Sequence, residues 1–179
     1  MDSPSDLVAA LLARPAGFGS GRLLCLDGPA GSGKTTLAAA VTALTPATVV
    51  HLDDLYDGWD GLPRLHEQLD TLLLPLARGE AGRYRRYDWQ AGRLAETVSV
   101  APAELLVVEG VGAGLSAYAR LRTLLVWVDA PRALRTARWR ARDGVVAEPF
   151  IEAWQRAEEA LFAQEGTRQA ADVGWGVVR

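Results

Sequence analysis

Four short apolar runs punctuate the chain, at residues 23–27, 48–52, 104–110 and 124–129, and each breaks at an acid or a glycine. Unbroken apolar runs of this length read as strands buried on both faces of a parallel sheet. Between them the period lengthens. Leu37-Ala38-Ala39-Ala40-Val41 follows Lys34 and stops before Pro46, which predicts a helix. Leu62, Leu65, Leu69, Leu72, Leu73 and Leu76 recur at three- and four-residue spacings, predicting a helix over 63–78 with a kink or early end at Pro75. Two more helices are predicted over 131–142 and 149–164, and an amphipathic one over 7–13 capped by Ser5. Residues 82–100 alternate around a glycine-containing turn, as a β-hairpin does, and 171–178 could supply a last edge strand. The succession predicts a three-layer α/β fold with a mainly parallel five-stranded sheet, from which residues 56–102 make an excursion.

The bulk numbers fit one domain over residues 1–179: 49% of residues are hydrophobic and 23% charged. The net charge of −3 gives no general attraction to nucleic acid or to anionic membranes, and no partner of either kind is expected. Cys25 is the single cysteine, which excludes an internal disulfide, and its apolar setting reads as core. The apolar stretch 7–13 has no basic region ahead of it and is too short to span a membrane; with no disulfide and the nucleotide-binding loop described below, the expected location is the cytoplasm. Oligomeric state is not legible.

The first strand runs into Gly28-Pro29-Ala30-Gly31-Ser32-Gly33-Lys34-Thr35, which fits G-x-x-x-x-G-K-[ST], the phosphate-binding P-loop. Its glycines allow a tight turn that aims backbone N–H groups at a polyphosphate, and the helix that follows adds the positive end of its dipole. Lys34, expected on a solvent-facing loop, can reach the outer phosphates, while the Thr35 hydroxyl can ligate Mg²⁺. Lys34 is the only lysine, and the other eighteen of the 19 basic residues are arginine. A compact ammonium is kept at the one place where it suits a phosphate. Residues 28–36, Thr36 included, are therefore the expected ATP-binding stretch.

Strand ends hold the remaining chemistry. Asp53 and Asp54 follow the second run, where a carboxylate could accept a proton from an attacking hydroxyl. Adjacent residues leaving a strand point apart, so only one of the two is expected to face the crevice. Glu109 ends the third run, placed to hold Mg²⁺ directly or through water. Arg132, Arg135, Arg138 and Arg142 form a basic helix face for the charge on a transferring phosphoryl group. His51 reads as a core or second-layer residue. There is no Asn-Lys-x-Asp guanine-reading motif, and no apolar run ends in the Asp-Glu pair of ATP-driven motors.

The P-loop, Asp53-Asp54-Leu55-Tyr56, Tyr84-Arg85-Arg86-Tyr87-Asp88-Trp89 with Arg93, Val107-Val108-Glu109-Gly110, and Arg135-x-x-Arg138-x-x-x-Arg142-Asp143 together resemble the uridine kinase group of P-loop kinases, which shades into phosphoribulokinase and pantothenate kinase. The resemblance covers residues 23–145 and implies a P-loop kinase fold using ATP and Mg²⁺. It implies Asp53 as base, with Lys34 and Arg138 as further catalytic groups, and Thr35 and Glu109 at the metal. Arg138 and Arg142 would sit in a lid over residues 132–146. Asp53, Tyr56, Asp57, Tyr84, Tyr87 and Arg93 would contact the acceptor, a nucleoside of the uridine or cytidine kind. Two departures stand out: the segment after Tyr56 is short, and Gln90-Ala91-Gly92-Arg93 stands where a histidine that reads the pyrimidine is expected. Another small alcohol as acceptor, pantothenate- or glycerate-like, and a nucleotide-binding module without transfer both remain open.

Overall fold

A computed structural model describes residues 3–176. Its centre is a sheet of five parallel strands in the order β2-β5-β1-β6-β7: β1 (Arg22–Asp27), β2 (Thr48–His51), β5 (Leu105–Glu109), β6 (Leu124–Val128) and β7 (Val173–Trp175). The four predicted runs are these first four strands. β7 is the edge strand expected near 171–178, of which residues 177 and 178 lie outside the described residues.

Strand periodicity decides which side chain goes to which face. Along β1, Leu23 and Cys25 enter a core shared with the hairpin and the later helices, while Leu24 and Leu26 enter a core beneath α1 (Pro4–Leu12) and α2 (Lys34–Thr42). Cys25 is a core residue, and burial pushes its thiol up to about 12. Ser3, not Ser5, caps α1: its hydroxyl accepts from the Asp6 N–H, and Pro4 takes the first helical position, where its missing N–H costs nothing.

A short 3₁₀ turn over Leu62–Arg64 leads into α3 (Leu65–Ala77), whose Leu65, Leu69, Leu72, Leu73 and Leu76 are buried. Pro75 lies in the final turn, and the helix ends at Ala77. β3 (Gly82–Asp88) and β4 (Arg93–Val100) form the antiparallel hairpin as a separate two-stranded sheet. The two helices predicted beyond residue 131 are the arms of one element, α4 (Arg132–Glu165), broken at Gly144 with φ 62° and ψ −151°. A residue with a Cβ is strained at that positive φ, and the change of direction there turns the second arm back over the P-loop. A four-residue helix, α5 (Thr167–Ala170), precedes β7. Among the described residues, no helix is long and apolar enough to cross a membrane.

Candidate active site

Parallel strands all present their carboxyl ends at one edge, where such sheets gather ligand groups. β1 ends at Asp27 and turns immediately at Gly28, whose φ is 142° and where a Cβ would lie 2.0 Å from the Val128 carbonyl oxygen. Only glycine fits that approach. The loop closes onto α2 at Lys34, which is buried rather than solvent-facing. Its Nζ donates to the carbonyls of Gly28 at 2.8 Å and Pro29 at 3.0 Å. The ammonium therefore braces the loop that it follows.

β2 and β5 are neighbours in register, with His51 beside Glu109. His51 Nδ1 lies 2.6 Å from Glu109 Oε1, and the Thr35 hydroxyl donates to the same oxygen at 3.0 Å. That hydrogen bond to Glu109 raises the histidine pKa against its partial burial. His51 is thus a second-layer residue, one that holds the carboxylate at the end of β5. Thr35 Oγ1 and Glu109 form a pair of hard oxygen donors at the foot of the loop. Such a pair fits Mg²⁺, which takes one or two protein oxygens and completes its shell with phosphates and water.

Asp53 and Asp54 both line the cavity above this pair, contrary to the expectation that one would turn away. They do not continue the strand. Leu52–Asp54 is a single 3₁₀ turn, in which successive side chains are about 120° apart rather than opposed. Both carboxyls are raised from their ordinary values, in each case mainly by the protein crowding around them. Arg142 and Lys34 pull Asp53 the other way, and His51 and Arg86 do so for Asp54. The first arm of α4 brings the cations: Arg138 Nη1 donates to the Gly31 and Ser32 carbonyls at 3.4 Å each, and Arg142 Nη1 lies 3.8 Å from Asp53 Oδ2.

A cavity of about 1130 Å³ joins these groups. Of the expected nucleotide-binding residues, Ala30, Gly31, Gly33, Lys34, Thr35, Thr36, Arg138 and Arg142 line it, while Gly28, Pro29 and Ser32 do not. Of the expected acceptor contacts, Asp53 and Tyr56 line it. Tyr56 offers only its ring, because its hydroxyl donates to the Val111 carbonyl at 2.8 Å. Asp57 and Tyr84 line a separate hollow of about 430 Å³ between α3 and the hairpin, and Asp57 is ion-paired to Arg64 there. Tyr87 packs edge-on against Trp89, and Arg93 is exposed opposite Asp88 on the hairpin.

Four tryptophans also line the cavity: Trp59, Trp89, Trp139 and Trp154. Trp59 is their hub, stacked on Phe150 at 4.8 Å and on Trp139 at 6.2 Å, and edge-on to Trp89 and Trp154. Sequence reasoning missed this cluster, although six tryptophans in 179 residues were a visible signal. It also missed two buried acids. Asp27 accepts from the N–H groups of Gly28, Gly112 and Gly114 at 2.7–2.9 Å, tying the P-loop to the segment after β5. Glu158, on the second arm of α4, accepts from Ala30 N–H at 2.8 Å. Burial pushes Asp27 up to about 6 and Glu158 up to about 7, despite these donors.

No protein-family model and no curated protein matches the chain. Solved structures do. A possible uridine kinase from Bacillus stearothermophilus superposes with a TM-score of 0.68 at 20% identity, covering 96% of each chain. A candidate fructose transport system kinase from Silicibacter sp. TM1040 superposes with a TM-score of 0.61 at 20% identity, covering 98% of this chain and 100% of that one. At this identity the likeness establishes a shared fold, a mainly parallel five-stranded α/β sheet flanked by helices.

Proposed function

We propose that this chain is an ATP-dependent phosphotransferase that moves the γ-phosphoryl group of ATP to a hydroxyl of a small molecule. One observation carries the reading: a single cavity is lined at once by the P-loop with Lys34, by the Thr35–Glu109 oxygen pair, by Asp53, and by Arg138 and Arg142. Phosphoryl transfer needs little covalent help from a protein; it needs positioning and charge stabilisation. The loop amides and Lys34 hold the phosphates. Thr35 and Glu109 would hold Mg²⁺, which neutralises charge on the phosphate oxygens when bound. Arg138 and Arg142 face the transferring group, and Arg142 also steadies Asp53. Asp53 accepts the proton of the attacking hydroxyl. Its raised pKa makes it a better base than a free aspartate.

The resemblance in residues 23–145 and the shared fold support a nucleoside of the uridine or cytidine kind as acceptor. A different small alcohol is favoured by a specific observation: Asp57, Tyr84, Tyr87 and Arg93 stand off a cavity whose wall is tryptophan instead. The test is ADP formation from MgATP by the purified protein, with nucleosides, sugars and small hydroxy acids supplied one at a time. Acceptor-dependent ADP formation is expected with one class. Tight MgATP binding with no turnover on any acceptor would point instead to a nucleotide-binding module.

A further inference from the structure

We propose that Glu158 is a positioning residue for nucleotide binding, its carboxylate keying the apex of the P-loop to α4 so that the remaining loop amides stay aimed at the phosphates. The role rests on the phosphotransferase reading above and adds a residue outside the resembling segment.

Glu158 is 1% exposed, and each of its oxygens has one partner. Oε2 accepts from Ala30 N–H at 2.8 Å, and Oε1 accepts from Arg135 Nη1 at 3.3 Å. Arg135 is itself held, with Nε donating to the Ala130 carbonyl at 3.0 Å. The first arm of α4 presses on the same stretch, since a Cβ on Gly31 would lie 2.4 Å from the Arg135 carbonyl oxygen. Arg138 grips the next two carbonyls. The apex is thus clasped by both arms of one broken helix.

The donors of the loop show what the clasp does. Gly28 N–H goes to Asp27, Pro29 has none, and Ala30 N–H goes to Glu158. The entry to the loop is saturated by two buried carboxylates, one from the strand below and one from the helix above. A flexible glycine loop would otherwise lose conformational freedom on taking up a polyphosphate, and a loop already fixed loses less. A buried charge is costly unless paired and hydrogen-bonded, and an apolar side chain would fill this site without that cost while leaving Ala30 N–H without a partner. Reach to Ala30 is therefore the feature that matters.

Two variants separate reach from charge. Glu158→Gln keeps an oxygen at the same distance; Glu158→Asp keeps the charge but withdraws it by one methylene. Calorimetric titration with MgATP and thermal melting are run on both and on the parent. The expected result is MgATP affinity within about threefold of the parent for Glu158→Gln, and about tenfold or more weaker for Glu158→Asp while it remains folded. An Asp variant that binds like the parent overturns the role, as does a folded Gln variant that loses affinity in step with the Asp variant. Should the Asp variant melt below the assay temperature, Glu158→Met takes its place, since it fills the site and leaves Ala30 N–H without an acceptor: affinity about tenfold weaker than the parent is expected, and parent-like affinity overturns the role. A parent that binds no MgATP fails at the earlier stage and overturns the phosphotransferase reading together with this one.

Discussion

The indole N–H of Trp89, on the turn of the hairpin, donates to the backbone carbonyl of Asp53 at 2.8 Å. The hairpin is therefore attached to the turn that carries the proposed base, and the aromatic wall and the carboxylate are placed by the same contact. Trp89→Phe keeps most of the ring and removes the donor. One hydrogen bond of this kind is worth about 1 kcal/mol, so kcat/KM for the acceptor should fall about fivefold with MgATP affinity unchanged. Steady-state kinetics with each substrate varied in turn checks the split; a loss confined to MgATP would contradict it.

Lys34 has a structural duty besides the phosphate role proposed for it. Lys34→Ala should weaken MgATP binding and also lower stability, because the carbonyls of Gly28 and Pro29 lose their buried donor. Leaving such groups unpaired costs about 1–3 kcal/mol, a fall of several degrees in melting temperature. Calorimetry and thermal melting read both effects. Unchanged MgATP affinity would contradict the nucleotide assignment, and an unchanged melting temperature would contradict the bracing.

Stability should depend on pH through Asp27 and Glu158, whose carboxyls are raised by burial to about 6 and about 7. Both bind protons more readily folded than unfolded. The stability they contribute is full below their unfolded values near pH 4 and drains away as pH rises through about 6 for Asp27 and about 7 for Glu158. Each is worth on the order of 3 kcal/mol at full effect. Asp88, Glu96 and Glu148, whose pKa values are lowered, act the other way, but only as pH falls below the ordinary carboxylate range. Melting temperature should therefore fall between about pH 5 and 7, with a smaller slope in Glu158→Gln. A melting temperature that climbs over that interval would contradict the assignment.

The sheet was legible because each buried strand is one unbroken apolar run ending in an acid or glycine, and the P-loop because its spacing is a backbone requirement. Glu109 and Asp53 were found by position at strand ends. Capping at Ser3 rather than Ser5 was not legible, since both hydroxyls precede the same apolar stretch and Pro4 decides between them. The paired orientation of Asp53 and Asp54 was hidden because a strand rule does not survive a 3₁₀ turn. Glu158 lies 128 residues from Ala30, and nothing local marks it; it is brought back by the break at Gly144. Trp139 and Trp154 lie on the two arms of α4, and only the turn between those arms brings both to Trp59.

Asp53→Asn tests the central claim most directly, with Asp54→Asn beside it. If Asp53 takes the proton of the attacking hydroxyl, its amide variant keeps shape and loses about 10²–10⁴ in acceptor-dependent turnover, while calorimetric MgATP affinity stays near that of the parent. Asp54→Asn lines the same cavity and should be milder, since Arg142 approaches Asp53. The measurement is single-turnover ADP formation from MgATP with the best acceptor of the panel, on parent and both variants, with MgATP affinity determined on the same samples. A large rate loss in Asp53→Asn at unchanged MgATP affinity is the predicted result; an Asp53→Asn protein that turns over at the parent rate contradicts the account.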